Sequence, residues 1–113
     1  MKNILYLLSI LIITCSNSQG EKDVLLNKAF KNDNIFKIVC KGYPKPGVYG
    51  IGRIETAKEA ALINAQLFAK NIFLDSVDVI RKGTIEKYEV FPDYSVIHYV
   101  VKEKGLRKKM KKK

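Results

Sequence analysis

The sequence has little of what active sites are commonly made from. His98 is the one histidine in 113 residues, tryptophan is absent, and there are two cysteines and three prolines. One histidine excludes a metal centre built on a histidine cluster. Cys40 and His98 lack any spacing that marks a thiol–imidazole pair. The carboxylates Asp75, Asp78, Glu86, Glu89 and Asp93 stand singly and read as a solvated face. No catalytic residue, metal ligand or cofactor site is expected. Long apolar runs are also missing. The longest, Ile4–Ile13, falls well short of the roughly 20 residues that a membrane-spanning helix needs.

That run is still informative. Met1-Lys2-Asn3 is a short positive leader, and Ile4–Ile13 has the length of a signal-peptide core. Residues 1–14 therefore read as an export signal. Ile12-Ile13-Thr14-Cys15 resembles the lipobox of bacterial lipoproteins, with Thr14 where Gly, Ala or Ser is commoner. By that resemblance Cys15 becomes the first mature residue and carries a lipid of at least two acyl chains, enough for stable anchoring. Ser16 follows, and a residue other than Asp there favours the outer membrane, with the protein facing periplasm or surface. Ordinary cleavage after Ser18, at the small-x-small pattern Ser16-Asn17-Ser18, is the alternative and would give a periplasmic or secreted protein. With Cys15 acylated, Cys40 has no intramolecular partner. It reads as a small buried strand residue, or as one half of an intermolecular disulfide.

Acidic residues are scarce, 11 against 21 Lys and Arg, giving +10. Most of the excess is local. Lys102–Lys113 carries +7 and residues 1–14 carry +1, so the body holds only +2. Residues 102–113 read as a disordered basic tail, because like charges repel and little apolar surface remains to bury. Arg107, Lys108, Lys109, Lys111, Lys112 and Lys113 are its contacts for a charged surface. Nucleic acid is the usual partner of such a run, but an exported chain rarely meets any. Anionic lipid headgroups or an acidic envelope polymer fit better.

Residues 15–34 read as the lipidated tether, with a short helix capped by Asp23 and running through Phe30. Residues 35–101 are the expected domain. Ile35–Lys41 and Val48–Glu55 read as strands around the turn Gly42-Tyr43-Pro44-Lys45-Pro46-Gly47. Thr56 with Glu59 is a capping-box signature. Ala57, Ala61, Ala65 and Ala69 then repeat at i+4, a stripe that permits close approach. Gly50 and Gly52 are the expected surface beneath it. Gly50-x-Gly52 before a helix also has some character of an anion cradle, but the third glycine and a P-loop Lys-Ser/Thr are absent. Gly83 bounds the helix, whose end is placed between Asp75 and Arg81. Thr84–Phe91 and Tyr94–Val101 form a second hairpin around Pro92-Asp93, pairing Ile85 with Val100, Glu86 with Tyr99, Lys87 with His98, Tyr88 with Ile97, Glu89 with Val96 and Val90 with Ser95. The fold class is α+β: a small antiparallel sheet of about four strands, as two hairpins, packed on one Ala-rich helix in the order β-β-α-β-β. Apolar residues on both sheet faces leave open which one meets the helix, and point to a homo-oligomer covering the other. Tyr43, Tyr49, Tyr88, Tyr94 and Tyr99 read as sheet residues rather than a binding cluster.

The lipobox-like Cys15, Gly50-x-Gly52, the helix Ala57-x-x-Ala60-Ala61-x-x-x-Ala65-x-x-x-Ala69 and the closing hairpin are together similar to the LPP-twenty-like family of small bacterial lipoproteins. The resemblance spans about residues 48–101. It implies an α+β envelope lipoprotein without enzymatic activity and carries over only Cys15, as the lipidation site. The expected function is a non-enzymatic, lipid-anchored structural or assembly module. The alternative is a soluble exported binding protein for an anionic or small ligand.

Overall fold

Asn32-Asp33-Asn34 is a dense cluster of turn formers, and the chain reverses there: the Asn34 amide donates to Asn32 Oδ1 at 2.8 Å. The computed structural model describes residues 24–111, so the export signal, Cys15, Asp23, Lys112 and Lys113 lie outside the described residues. The turn joins β1 (Leu25–Asn32) to β2 (Ile35–Gly42). The second half of the expected tether is thus a strand rather than a helix. Leu-Leu-Asn-Lys-Ala-Phe has weak β propensity, and pairing with β2 overrides it.

Val48–Glu55, expected as a strand, instead leads into the helix. Gly50 sits at φ 65°, ψ −135° and ends extended structure, and α1 (Ile51–Ile72) starts directly after it. The Gly50 carbonyl accepts the Arg53 amide at 3.1 Å. Thr56 is therefore inside the helix and not its cap. Its Oγ1 donates to the Gly52 carbonyl (2.9 Å) and accepts the Lys45 amide (3.0 Å), fastening the proline loop to the helix. The helix ends earlier than expected. Phe73 turns extended and buries its ring, while its amide still closes on the Ala69 carbonyl at 3.2 Å.

After a run of turns come β3 (Gly83–Val90) and β4 (Ser95–Lys102). All four strands are antiparallel in the order β1-β2-β4-β3, so the two hairpins join along β2 and β4. The α+β fold, one helix on a four-stranded sheet in the order β-β-α-β-β, is as the sequence indicates. In the second hairpin the expected pairs hold from Lys87–His98 to Val90–Ser95. A bulge at Glu86 then shifts Ile85 onto Tyr99 and Thr84 onto Val100.

The helix covers the face bearing Ile38, Cys40, Ile97, Tyr99 and Val101, all almost fully buried. The Ala57, Ala61, Ala65 and Ala69 stripe faces this layer as expected. The glycine beneath it is Gly42, however, and not Gly50 or Gly52. An ideal Cβ at Gly42 would stand 2.6 Å from Ala61 Cα. Gly52 leaves room for the Val48 side chain instead.

The opposite sheet face is laced with charge. Val96 and Val100 on that face are buried by the chain's own neighbours. Glu86 lies 2.7 Å from Lys37 and 3.4 Å from Lys31. The Lys37 hydrogen bond, helped by Lys31, holds the Glu86 carboxyl below its ordinary value of 4.5 against a burial effect that raises it. Glu89, 2.8 Å from His98 Nε2, is lowered by that hydrogen bond in the same way. A carboxyl lowered in the folded state stabilises it fully above pH 4.5 and loses that contribution as pH falls through the folded value. The thermal midpoint of the native protein should therefore drop more steeply below pH 4.5 than that of a Glu86→Gln/Glu89→Gln variant. Circular-dichroism melts over an acid series would check this.

Candidate functional site

The basic segment after β4 is not a disordered tail. Gly105 adopts φ 71°, ψ 22°, and its amide donates to Asn34 Oδ1 at 2.8 Å. Leu106–Lys109 forms one 3-10 turn, and the Leu106 side chain is fully buried. The Arg107 amide donates to the Asp33 carbonyl, and its side chain meets the Asp33 carboxylate, both at 2.9 Å. Lys109 pairs with Glu103 at 2.7 Å. The end of the segment lies along the helix exit. Met110 bridges to Phe73, the Lys111 amide donates to the Ile72 carbonyl, and the Leu74 amide donates to the Lys109 carbonyl. Charge counting misses this order because one buried apolar side chain, Leu106, and backbone bonds to Asp33, Asn34 and Ile72 hold the segment.

This clamp gathers cations at one end of the sheet. The Lys102 amide donates to the Lys82 carbonyl, which brings the start of β3 beside the end of β4. Arg81, Lys82, Lys102, Lys104, Arg107 and Lys108 are all exposed there. Of the six cations expected on a loose tail, Arg107 and Lys108 are held in this array. Lys109 is half-buried against Glu103, and Lys111 sits farther along, beside the helix end.

Beside this basic pole opens a groove of about 610 Å³ between β1, the last turns of α1 and the C-terminal segment. Its lining includes Phe30, Phe36, Phe68, Ile72 and Met110, with Lys28 and Lys111 among the polar groups. Phe30 and Phe36 pack edge-on at 5.0 Å, and each meets Phe73 behind them, at 6.0 and 5.2 Å. Arg107 lies 4.6 Å over the Phe30 ring. Sequence reading misses this groove, since it draws on three segments, one of them expected as a helix rather than a strand and one as a disordered tail.

The remaining candidates are structural. Cys40 is fully buried under the helix, and burial pushes its thiol up to about 12, so it stays protonated and unreactive at neutral pH. Gly50 and Gly52 shape the helix start. Tyr99 is buried with its hydroxyl donating to the Val79 carbonyl at 2.8 Å, whereas Tyr43 and Tyr94 meet at the end opposite the basic pole, under Lys41. Among the described residues no group of His, Cys, Asp and Glu is arranged to hold a metal ion, and no helix is long and apolar enough to cross a membrane. No protein-family model, curated protein or solved structure matches the chain.

Proposed function

We propose that the protein is an exported, lipid-anchored envelope protein without enzymatic activity, which acts as an interaction module with its basic pole turned to an anionic surface. The observation that carries the reading is the clamp of the C-terminal segment onto the Asp33-Asn34 turn. A fixed array of exposed cations suits a charged plane better than a freely moving tail does, because less side-chain and backbone freedom is lost on contact. Each Lys or Arg near an anionic leaflet contributes about 1 kcal/mol. The apolar run Ile4–Ile13, with Thr14 and then Cys15 after it, supplies the route out of the cell and the anchor. The resemblance to LPP-twenty-like lipoproteins agrees with that location.

The mass of the mature N-terminal peptide from cells tests the reading. An N-terminus at Cys15 carrying acyl mass is expected, with Cys15→Ala leaving the membrane fraction. A mature chain beginning at Gln19 and free of lipid would replace this reading with that of a soluble exported binding protein.

A further inference from the structure

We infer that the protein pairs with a second copy of itself through the outer face of α1, the two helices antiparallel across a two-fold axis between Ile63 and Leu67. That face belongs to the folded domain, so the inference rests neither on export nor on the lipid anchor.

A helix packed on a sheet is normally polar on its far side. The far side of α1 is apolar at its middle. Ile63 and Leu67, one turn apart and opposite the alanine stripe, are 52% and 54% exposed. Ala60 lies beside them, and its small side chain lets another helix approach. Against Ala60 and Ile63 opens a cleft of about 480 Å³, walled on its other side by the Tyr43–Pro46 loop. It offers a socket for a branched apolar side chain from outside.

The ends of this ridge carry opposite charge. Glu59 lies one turn before Ile63 and Lys70 about one turn after Leu67, both exposed. Among the described residues neither forms an ion pair. They stand about 16 Å apart along the helix, too far to meet each other. In an antiparallel pair each finds its complement. Leu67 of the second copy stands at Ile63 and enters the cleft by Ala60. Glu59 meets Lys70 and Asn71 of the second copy, and the same contacts recur across the axis.

The charge pattern also selects the occupant. A parallel pair would set Glu59 against Glu59 and Lys70 against Lys70. An anionic membrane surface would be repelled by Glu59. Acid, apolar middle and base in that order are complementary to a reversed copy of themselves. The outer sheet face does not compete for the second copy. Its Val96 and Val100 are buried, and Glu86 and Glu89 are already paired with Lys37 and His98.

The experiment treats the full chain in mild detergent with a water-soluble carbodiimide, which joins a carboxylate to an amine in direct contact, and maps the dimer band. An amide between Glu59 and Lys70 is expected, and it reports two copies because one chain cannot span that distance. In sedimentation equilibrium, Ile63→Gln/Leu67→Gln should weaken dimerisation about thirtyfold or more. Glu59→Lys and Lys70→Glu should each weaken it about tenfold, since each change falls on both sides of the axis. Glu59→Lys/Lys70→Glu restores opposite charges and should return the affinity to within about threefold of the native chain. Every change is at an exposed position and introduces a good helix former, so the fold is kept, as circular dichroism would verify. A mature N-terminus free of lipid would leave all these outcomes unchanged. A monomeric native chain, a dimer indifferent to Ile63→Gln/Leu67→Gln, a dimer band lacking the Glu59–Lys70 amide, or a charge-swapped chain that fails to recover would each overturn the proposal.

Discussion

Gly42→Ala should destabilise the domain by about 3 kcal/mol or more, enough to leave much of the protein unfolded. The added Cβ would stand 2.6 Å from Ala61 Cα and closer still to the Ala61 amide nitrogen and the Ala57 carbonyl oxygen. All three are backbone atoms of α1, so no rotamer change relieves the overlap. The helix must lift from the sheet, and every alanine of the stripe loses contact with it. Cores are dense, and small displacements of a whole element are costly. Ala61→Gly in the same chain should give no rescue, because the offending atoms remain. Urea denaturation of the two variants, with the native protein as reference, measures the effect. A loss below about 1 kcal/mol would show that the helix rides less closely on β2 than described.

Phe73→Ala is expected to cost about 3–5 kcal/mol. Phe73 is fully buried at the point where the helix, β1, β2 and the C-terminal segment meet. Truncation leaves a cavity and removes two edge-on ring contacts, each worth about 0.5–1.5 kcal/mol. It should also loosen the Met110 bridge. The Leu74 and Lys111 amides, both bonded at 2.8 Å across that junction, should then exchange with solvent sooner than the amides of β4. Phe73→Leu, which fills more of the space, should keep most of the stability, with a cost below about 1.5 kcal/mol plus the lost ring contacts. Hydrogen exchange together with urea melts separates the local loosening from the global loss.

Local chemistry made part of this fold legible. Pro92-Asp93 set the second hairpin, and four of its six anticipated pairs follow from that turn. The bulge at Glu86 departs from strict two-residue alternation, and nothing in Ile85-Glu86-Lys87 announces it. The alanine stripe correctly implied a close approach to glycine, but Gly42 lies in a stretch that reads as turn and so escaped notice. The strand β1 has no β-branched residue and forms because β2 offers it a partner. Its one local signal was the Asn32-Asp33-Asn34 turn. The basic segment was misread by charge alone, since the buried Leu106, the backbone bonds to Asp33 and Asn34 and the pairs Arg107–Asp33 and Lys109–Glu103 together outweigh the repulsion among its neighbours. The groove was invisible for the same reasons, since besides the helix it needs β1, which reads as a helix, and the C-terminal segment, which reads as a loose tail.

The ladder between β2 and β4 has a consequence in time. It joins strands more than half of the described chain apart, and among the described residues it is the one strand ladder between the two hairpins. Either hairpin can close early and alone, but the sheet is whole only once Ser95–Lys102 is present, and the clamp at Leu106 later still. Folding is thus gated by residues 95–109, which follow every other described element in the chain, and non-local closure of this kind is slow. For the export proposed above that delay is an advantage, because a polypeptide passing through a membrane as an extended thread stays threadable until Ser95–Lys102 has been made.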